Sequence, residues 1–437
     1  MRSLRPTMRS VSRPPRRRAA ASSPGTGPFG TGPSVGDVMS NQIYDAVVVG
    51  ARCAGAPTAM LLARKGYRVL LADRATFPSD TVSTHLVHPP GLAALDRWGL
   101  LPQVIASGCP PIATYSFDFG PFTIEGSPAG CGFPAAYAPR RTVLDKILVD
   151  AADRSGAEVR EGFTVEDLVV DGDAVTGIRG HGAGGKTVTE YARVVVGADG
   201  AHSPVARSVG AADYATKPKL QCSYYAYWSG LPMDGRFETY VRPDRAFAAW
   251  PTNDGLTVVI CGLPMRDFQA NRSDVEGGYL ATLALVPSFA DRVASACRVE
   301  RLVGMAVPNF LRRPYGPGWA LVGDAGYLKD FITAQGIQDA FRDAELCAQA
   351  LDRTFTGRQT FDAAMKDYQE SRDGQVMPMY EFTAELASLD PPPPQMRELL
   401  GAVSRSGPAM DGFARVAAGV TSPAEFFSPA NLDAVLV

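Results

Sequence analysis

The sequence predicts an α/β fold. A mostly parallel sheet flanked by helices is interrupted by an antiparallel sheet, and helices follow at the C-terminal end. Three observations carry this expectation. Residues 43–72 read as strand, glycine-containing turn, helix and second strand (IYDAVVV, GARCAG, YRVLLA). Two later apolar runs, at 193–196 and 319–322, each lead into a Gly-Asp turn and then a helix. Between them, residues 217–263 change texture: CSYYAYW, RFETYV, RAFAAW and LTVVICGL are aromatic and β-branched segments separated by turns.

The 437 residues are enough for two or three domains, and 46% hydrophobic with 20% charged residues is an ordinary globular composition. Net charge is −2, which gives no general attraction to nucleic acid. Residues 1–40 hold seven Arg against Asp37 alone, so they carry +6 and leave −2 − 6 = −8 for the rest. This Arg/Pro-rich extension is expected to be disordered. It reads either as a transit peptide or as text upstream of a true start at Met39. No apolar run is long enough to span a bilayer, so a transmembrane segment is not expected. Seven scattered Cys without a CxxC suggest reduced thiols and a cytoplasmic location, and four His make a histidine-built metal site improbable on count alone. The sequence carries no signal of oligomeric state.

Taken in order, residues 43–49 form a buried parallel strand, residues 54–65 a helix stopped by Gly66, and residues 67–72 a second strand ending at Asp73. A turn-rich loop spans 76–90, a short helix 91–98, and two short strands 112–125. Residues 141–154 have apolar positions at helical spacing. Residues 165–178 form a hairpin turned at Asp171-Gly172, and 193–196 form another buried strand. A helical stretch is expected over 274–295, a strand over 319–322, and helices over 337–351 and 361–372. Pro391 to Pro394 should end a further helix.

The chemistry-bearing motifs sit at strand ends. Gly50-Ala51-Arg52-Cys53-Ala54-Gly55 lies between strand and helix, where a dinucleotide's pyrophosphate approaches backbone N–H groups at a helix N-terminus. Gly50 permits the tight turn and Gly55 close helix–strand packing. Arg52 occupies the second glycine slot of G-x-G-x-x-G and either leans out to pair a phosphate or is solvated. Asp73 closes the second strand, where an acid accepts ribose hydroxyls, and Arg74 follows it. The second motif is VVGADGAHS, with Asp199 and Gly200; the third is LVGDA, with Gly323 and Asp324, then Gly336 at a helix start. Each alone reads equally as a structural turn.

In this order, the fingerprint, VVVGADGAHSPVAR and LVGDAGY…QG resemble the class A FAD-dependent monooxygenases of the p-hydroxybenzoate hydroxylase type, with geranylgeranyl reductases and flavin-dependent halogenases as relatives. The likeness runs from about residue 45 to 372. It implies a Rossmann-like FAD-binding domain (41–110, 140–216, 300–372) interrupted by an antiparallel β-sheet substrate domain (111–139, 217–299), with a C-terminal helical segment (373–437). It implies one non-covalent FAD, held by Gly50, Ala51, Arg52, Gly55, Asp73, Arg74, Arg141, Asp199, Gly200, Gly323, Asp324 and Gly336. Asp199 and Gly200 would also meet a passing nicotinamide, and Asp324 the ribityl chain. NAD(P)H would be co-substrate, with O₂ hydroxylating or epoxidising a small aromatic or polycyclic molecule.

Two departures stand out. Phe331 occupies a position that is usually Pro, and Ala334 one that is usually Gly. The Trp-x-Trp-x-Ile-Pro segment of halogenases is absent; the nearest text is Ala248-Ala249-Trp250-Pro251. The loop TVSTHLVHPP holds His85 and His88, and His85 is the candidate acid/base or substrate ligand. Tyr225, Tyr227, Trp250 and Phe331 are candidate substrate contacts. Strand alternation allows only half of Tyr224, Tyr225, Tyr227 and Trp228 to look inward. A double-bond reductase, a flavoprotein oxidase and a ligand-sequestering protein remain as alternatives.

Overall fold

The structure, a computed structural model, describes residues 43–435. The expectation for residues 1–40 lies outside the described residues. The chain is α/β, as the sequence predicts.

The first sheet runs in the order Tyr315–Gly316, Trp319–Leu321, Thr187–Gly197, Tyr44–Val49, Val69–Ala72, Glu158–Arg160. Its pairs are parallel except at Tyr315–Gly316. Val, Leu and Ala side chains fill both faces, which suits strands buried on two sides. The register matters most for the site. Val49 pairs with Gly197 and with Ala72, and Gly197 pairs with Leu321. Four strands therefore end level, and Gly50, Asp73, Ala198-Asp199 and Gly323-Asp324 leave the sheet at one carboxyl edge, where such sheets bind ligands. The hairpin Thr164–Asp171 and Ala174–His181 turns at Gly172 as expected and pairs onto Thr187–Gly197.

The second sheet runs Cys297–Arg298, Gln221–Ser229, Leu256–Pro264, Arg245–Pro251, Arg236–Arg242, Thr114–Asp118, Thr123–Gly126. It departs from a purely antiparallel sheet at one place: Arg236–Arg242 lies parallel to Thr114–Asp118. No hairpin joins these two strands, so nothing forces them to run opposite ways. The alternation argument is also corrected. Tyr225, Tyr227 and Trp250 face one apolar cluster, and Tyr224, Trp228 and Phe247 face another. Both faces are covered. Leu400, Val403 and Phe413 from Pro394–Val403 and Gly407–Ala417 close the first, and Tyr279 and Phe289 from Val275–Leu283 and Pro287–Ala294 close the second. The approach of the C-terminal helices is close: a Cβ on Gly126 would lie 2.4 Å from the Met410 carbonyl oxygen.

Two helix boundaries differ from expectation. The stretch over 274–295 is two helices, because Pro287 opens a new one. The helix expected to end at Arg372 continues through Pro378 to Ala387. Arg372 is fully buried within it, donating to the Gly326 and Arg312 carbonyls. The proline run follows the end of that helix, as expected, and it also starts the next one: Pro394 is the first residue of Pro394–Val403.

Candidate FAD and substrate site

The turn after the first strand is built by steric exclusion. Gly50 has φ +100°, and a Cβ there would lie 2.4 Å from the Ala198 carbonyl oxygen. A Cβ on Gly55 would lie 1.7 Å from the Gly50 oxygen, and one on Gly323 (φ +57°) would lie 2.7 Å from Ala54 Cβ. The three motifs thus meet at atoms that no side chain can separate. Gly200 and Gly336, by contrast, have open space where a Cβ would stand. Helix Gly55–Ala63 begins at this edge with no side-chain cap; its Ala56 and Thr58 N–H groups donate to the Arg52 and Ala54 carbonyls and Pro57 has none, so the positive end of the helix acts on an anion through its dipole and the turn before it.

Asp73, half-buried, accepts from the Ala51 N–H at 2.7 Å and from the Ala75 N–H at 2.8 Å. Each carboxylate oxygen keeps a lone pair for a ribose hydroxyl. Arg74 beside it is exposed. Arg52 does neither of the things its sequence position suggests. Its guanidinium turns under the turn to Asp145 at 2.6 Å and to the Ser79 carbonyl and hydroxyl. Arg141 joins the same carboxylate at 2.9 Å, and the Cys53 thiol donates to it at 3.4 Å. Asp145 is completely buried, and burial pushes the Cys53 thiol well above its ordinary range. This hub escaped the motif reading, although Arg141 and Asp145 stand at i,i+4 spacing in PRRTVLDKIL.

Asp199 accepts the Val205 N–H through Oδ2 at 3.0 Å, while its Oδ1 is buried without a partner among the described residues. Burial raises its pKa. Asp324 sits on the short turn Gly323–Ala325, and its carboxylate is open to solvent. Surrounding protein mass pushes its pKa up to about 6, opposed by nearby Arg141. Its solvent exposure moderates that effect.

The loop after the third motif is bolted to the second sheet by another set of residues that sequence reasoning missed. Asp330 accepts from Gln221 Nε2 at 2.6 Å and caps the turn Phe331–Thr333 through the Ile332 N–H at 3.0 Å. Its own N–H donates to Asn309 Oδ1 at 2.6 Å. Phe331 is half-buried, and Ala334 takes the glycine-like φ of +52° that its position demands. Gly336 then opens the helix Gly336–Phe355.

Residues 84–88 lie between that loop and the second sheet. His88 bonds the Tyr115 hydroxyl through Nδ1 at 2.6 Å and the Thr333 carbonyl through Nε2 at 3.3 Å. Trp250 Nε1 donates to the Thr84 carbonyl at 3.2 Å. His85 is fully buried at φ +61°; its Nε2 meets the Tyr227 hydroxyl and its Nδ1 has no partner. Burial, then Arg141, lowers the His85 pKa to about 3, and burial lowers that of His88 to about 4. Tyr225 sits edge-on to Tyr227, whose ring carries the Arg140 guanidinium 4.4 Å from its centre. His85, Tyr225, Tyr227 and Trp250 are thus brought together.

The depressed histidines fix the sign of one pH effect. Both imidazoles are neutral in the fold but titrate near 6.5 when unfolded. They add stability above pH 6.5 that is lost as pH falls toward 4 and 3. Urea midpoints should therefore drop steeply between pH 6.5 and 4, and His85→Asn should flatten that slope. An inflection in activity between pH 6 and 7 that His85→Asn removes would contradict a neutral His85.

Residues 43–383 match the family described as FAD binding domain. Among curated relatives, the digeranylgeranylglycerophospholipid reductase of Methanothrix thermoacetophila is 29% identical over 361 residues, covering 79% of this chain and 89% of its own length. The phenazine 1,6-dicarboxylic acid hydroxylase PhzS of Lysobacter antibioticus is 28% identical over 407 residues, covering 83% and 96%. Among solved structures, the myxobacterial chondrochloren halogenase CndH superposes with a TM-score of 0.74 at 21% identity, covering 90% of this chain and 93% of that one. That last likeness speaks for the fold.

Proposed function

The chain belongs to the FAD binding domain family, and from that premise we propose that it is an NAD(P)H-dependent monooxygenase that hydroxylates or epoxidises a small aromatic or polycyclic substrate. The observation that carries the reading is the meeting of three strand-end motifs at one sheet edge, with the loop after the third reaching a buried aromatic face. Bound FAD would accept electrons from the nicotinamide and hand them to oxygen, which is chemistry the protein lacks on its own.

The residues fit the cofactor. The glycine cradle admits backbone approach, Asp199 Oδ1 is an orphan acceptor, and the Asp324 carboxylate makes no hydrogen bond among the described residues. The N-terminal end of helix Gly55–Ala63, with the glycine turn before it, would face the pyrophosphate. Asp73 would hold the adenosine ribose, and Asp324 the ribityl hydroxyls. Arg74, Arg141, Gly200 and Gly336 would border the same ligand. Backbone around Gly336, at the start of a 20-residue helix, would face developing negative charge on the ring. The loop 329–334, fixed by Gln221 and Asn309, keeps that side of the cleft in place. Tyr225, Tyr227, Trp250 and Phe331 would supply apolar walls that exclude water, and neutral His85 a hydrogen bond.

Asp324→Ala should raise the Kd for FAD about 10- to 100-fold, the worth of a hydrogen bond to a charged acceptor. The sign for the apoprotein is opposite. A carboxyl raised from 3.8 to about 6 contributes stability below pH 3.8 that is lost as pH rises through 6. At pH 8 the apo variant should therefore unfold no more easily than the native apoprotein. Flavin fluorescence titration and urea unfolding read the two effects separately; unchanged FAD affinity would remove Asp324 from the site.

An oxygen electrode tests the function itself. FAD-loaded protein should consume oxygen on addition of NADH or NADPH, faster with an aromatic ligand present. The second reading, reduction of isolated double bonds, is favoured by the 29% identity to the Methanothrix reductase and by the apolar face. Anaerobic turnover of a prenyl substrate without oxygen uptake would select it.

A further inference from the structure

The aromatic face beside the third-motif loop has a polar vacancy at its centre. Tyr115, Phe117, Tyr225, Tyr227, Phe237 and Trp250 belong to one apolar cluster with Ala334 from the third-motif loop. Three polar side chains of this face have partners. Tyr115 is bonded to His88, Trp250 to the Thr84 carbonyl and Tyr227 to His85. His85 Nδ1 is buried and unpartnered, in a residue with no solvent exposure; Arg140 Nε, over the Tyr227 ring, is the other orphaned atom on this side. Leaving such an atom unmade costs about 1–3 kcal/mol, which a ligand that reaches it recovers. The left-handed backbone of His85, rare for a residue with a Cβ, fixes where the ring is presented.

Charge points the same way. The cations nearest the imidazole are Arg140 and Arg141. Arg140 is paired with Asp80 at 3.0 Å and Glu300 at 2.9 Å, and Arg141 with Asp145 at 2.9 Å. The charge of both guanidiniums is thus already met by carboxylates, two of them on Arg140, and a further anion would meet those carboxylates as well. With the Tyr227 hydroxyl donating to Nε2, the ring proton sits on Nδ1 and is the donor left for a ligand.

We infer that the site takes an uncharged aromatic compound whose oxygen substituent accepts a hydrogen bond from His85 Nδ1. The inference rests on reading this face as the substrate side of the FAD site. It sets this chain apart from a relative whose substrate is a dicarboxylic acid.

The test is equilibrium binding to full-length, oxidised FAD-loaded protein, read from the flavin absorbance change. Four probes share one ring system: 2-naphthol, 2-methoxynaphthalene, naphthalene and 2-naphthoate. The two neutral oxygenated probes should bind about tenfold more tightly than naphthalene, and 2-naphthoate more weakly than either. His85→Asn, which tolerates the left-handed backbone, should erase the preference over naphthalene while FAD content stays native. If that variant fails to fold, the ranking on the native protein still decides. Equal binding of naphthol and naphthalene, tightest binding of naphthoate, or no binding of any probe overturns the inference. Because no turnover is involved, an absence of NAD(P)H oxidation would count against the proposed reaction and leave this result standing.

Discussion

Gly55→Ala will yield no FAD-loaded protein. The added Cβ would stand 1.7 Å from the Gly50 carbonyl oxygen and 2.9 Å from Ala198 Cβ, whereas non-bonded heavy atoms settle at about 3.5–4.0 Å. An extra methyl in a yielding core costs about 1–3 kcal/mol. Here the obstructing atom is backbone of a turn held by the Gly50 N–H on the Ala72 carbonyl and the Ala51 N–H on Asp73. Strand, turn and helix must come apart together, so the cost exceeds that range. Gly374→Ala is the control. It is an exposed helical glycine with nothing within 4 Å of a Cβ, and the change should stabilise by about 0.5–1 kcal/mol. Flavin absorbance of purified protein and thermal unfolding check both. A yellow, stable Gly55→Ala protein would mean that the helix does not pack on the turn in this way.

Asp145→Ala will destabilise the apoprotein by about 3–5 kcal/mol, the cost of stranding a buried charge. The carboxylate is completely buried and neutralises Arg141, whose side chain is 10% exposed, and Arg52, at 26%. Removing it leaves two guanidiniums facing each other with the Cys53 thiol between. Among the described residues Asp145 is the only carboxylate in ion-pair contact with Arg141; Asp324 acts on it from farther away. Adding Arg141→Met should recover part of the loss, because the double change removes the stranded charge as well as its partner. Urea midpoints at constant m-value measure this. A loss below about 1 kcal/mol would place Asp145 among ordinary surface ion pairs.

The sheet carrying the cofactor motifs was legible because its strands are continuous apolar runs and its turns are glycine-bound. Gly50, Gly55, Asp199, Gly323 and Asp324 emerge at one edge because parallel strands of similar length end level. What stayed hidden was partnership across distance. Arg52 looked like a phosphate ligand because its neighbours in sequence are the fingerprint; its true partner lies 93 positions away. Gln221 and Asn309 look like unremarkable polar residues until the fold sets both against Asp330. The covered second face of Gln221–Ser229 was not visible either, since alternation records a strand's two sides and not what later helices do to them. The helix through Pro378 ran past its expected end because tertiary packing of Val376, Met379 and Tyr380 outweighs a local breaker.

The measurement that tests the proposed reaction most directly is the flavin absorbance of FAD-loaded protein under strictly anaerobic conditions, first with NADH or NADPH and then with oxygen. The account predicts that one nicotinamide bleaches the flavin and that oxygen restores the yellow colour. Flavin that neither nicotinamide bleaches, or bleached flavin that oxygen leaves colourless, would contradict it.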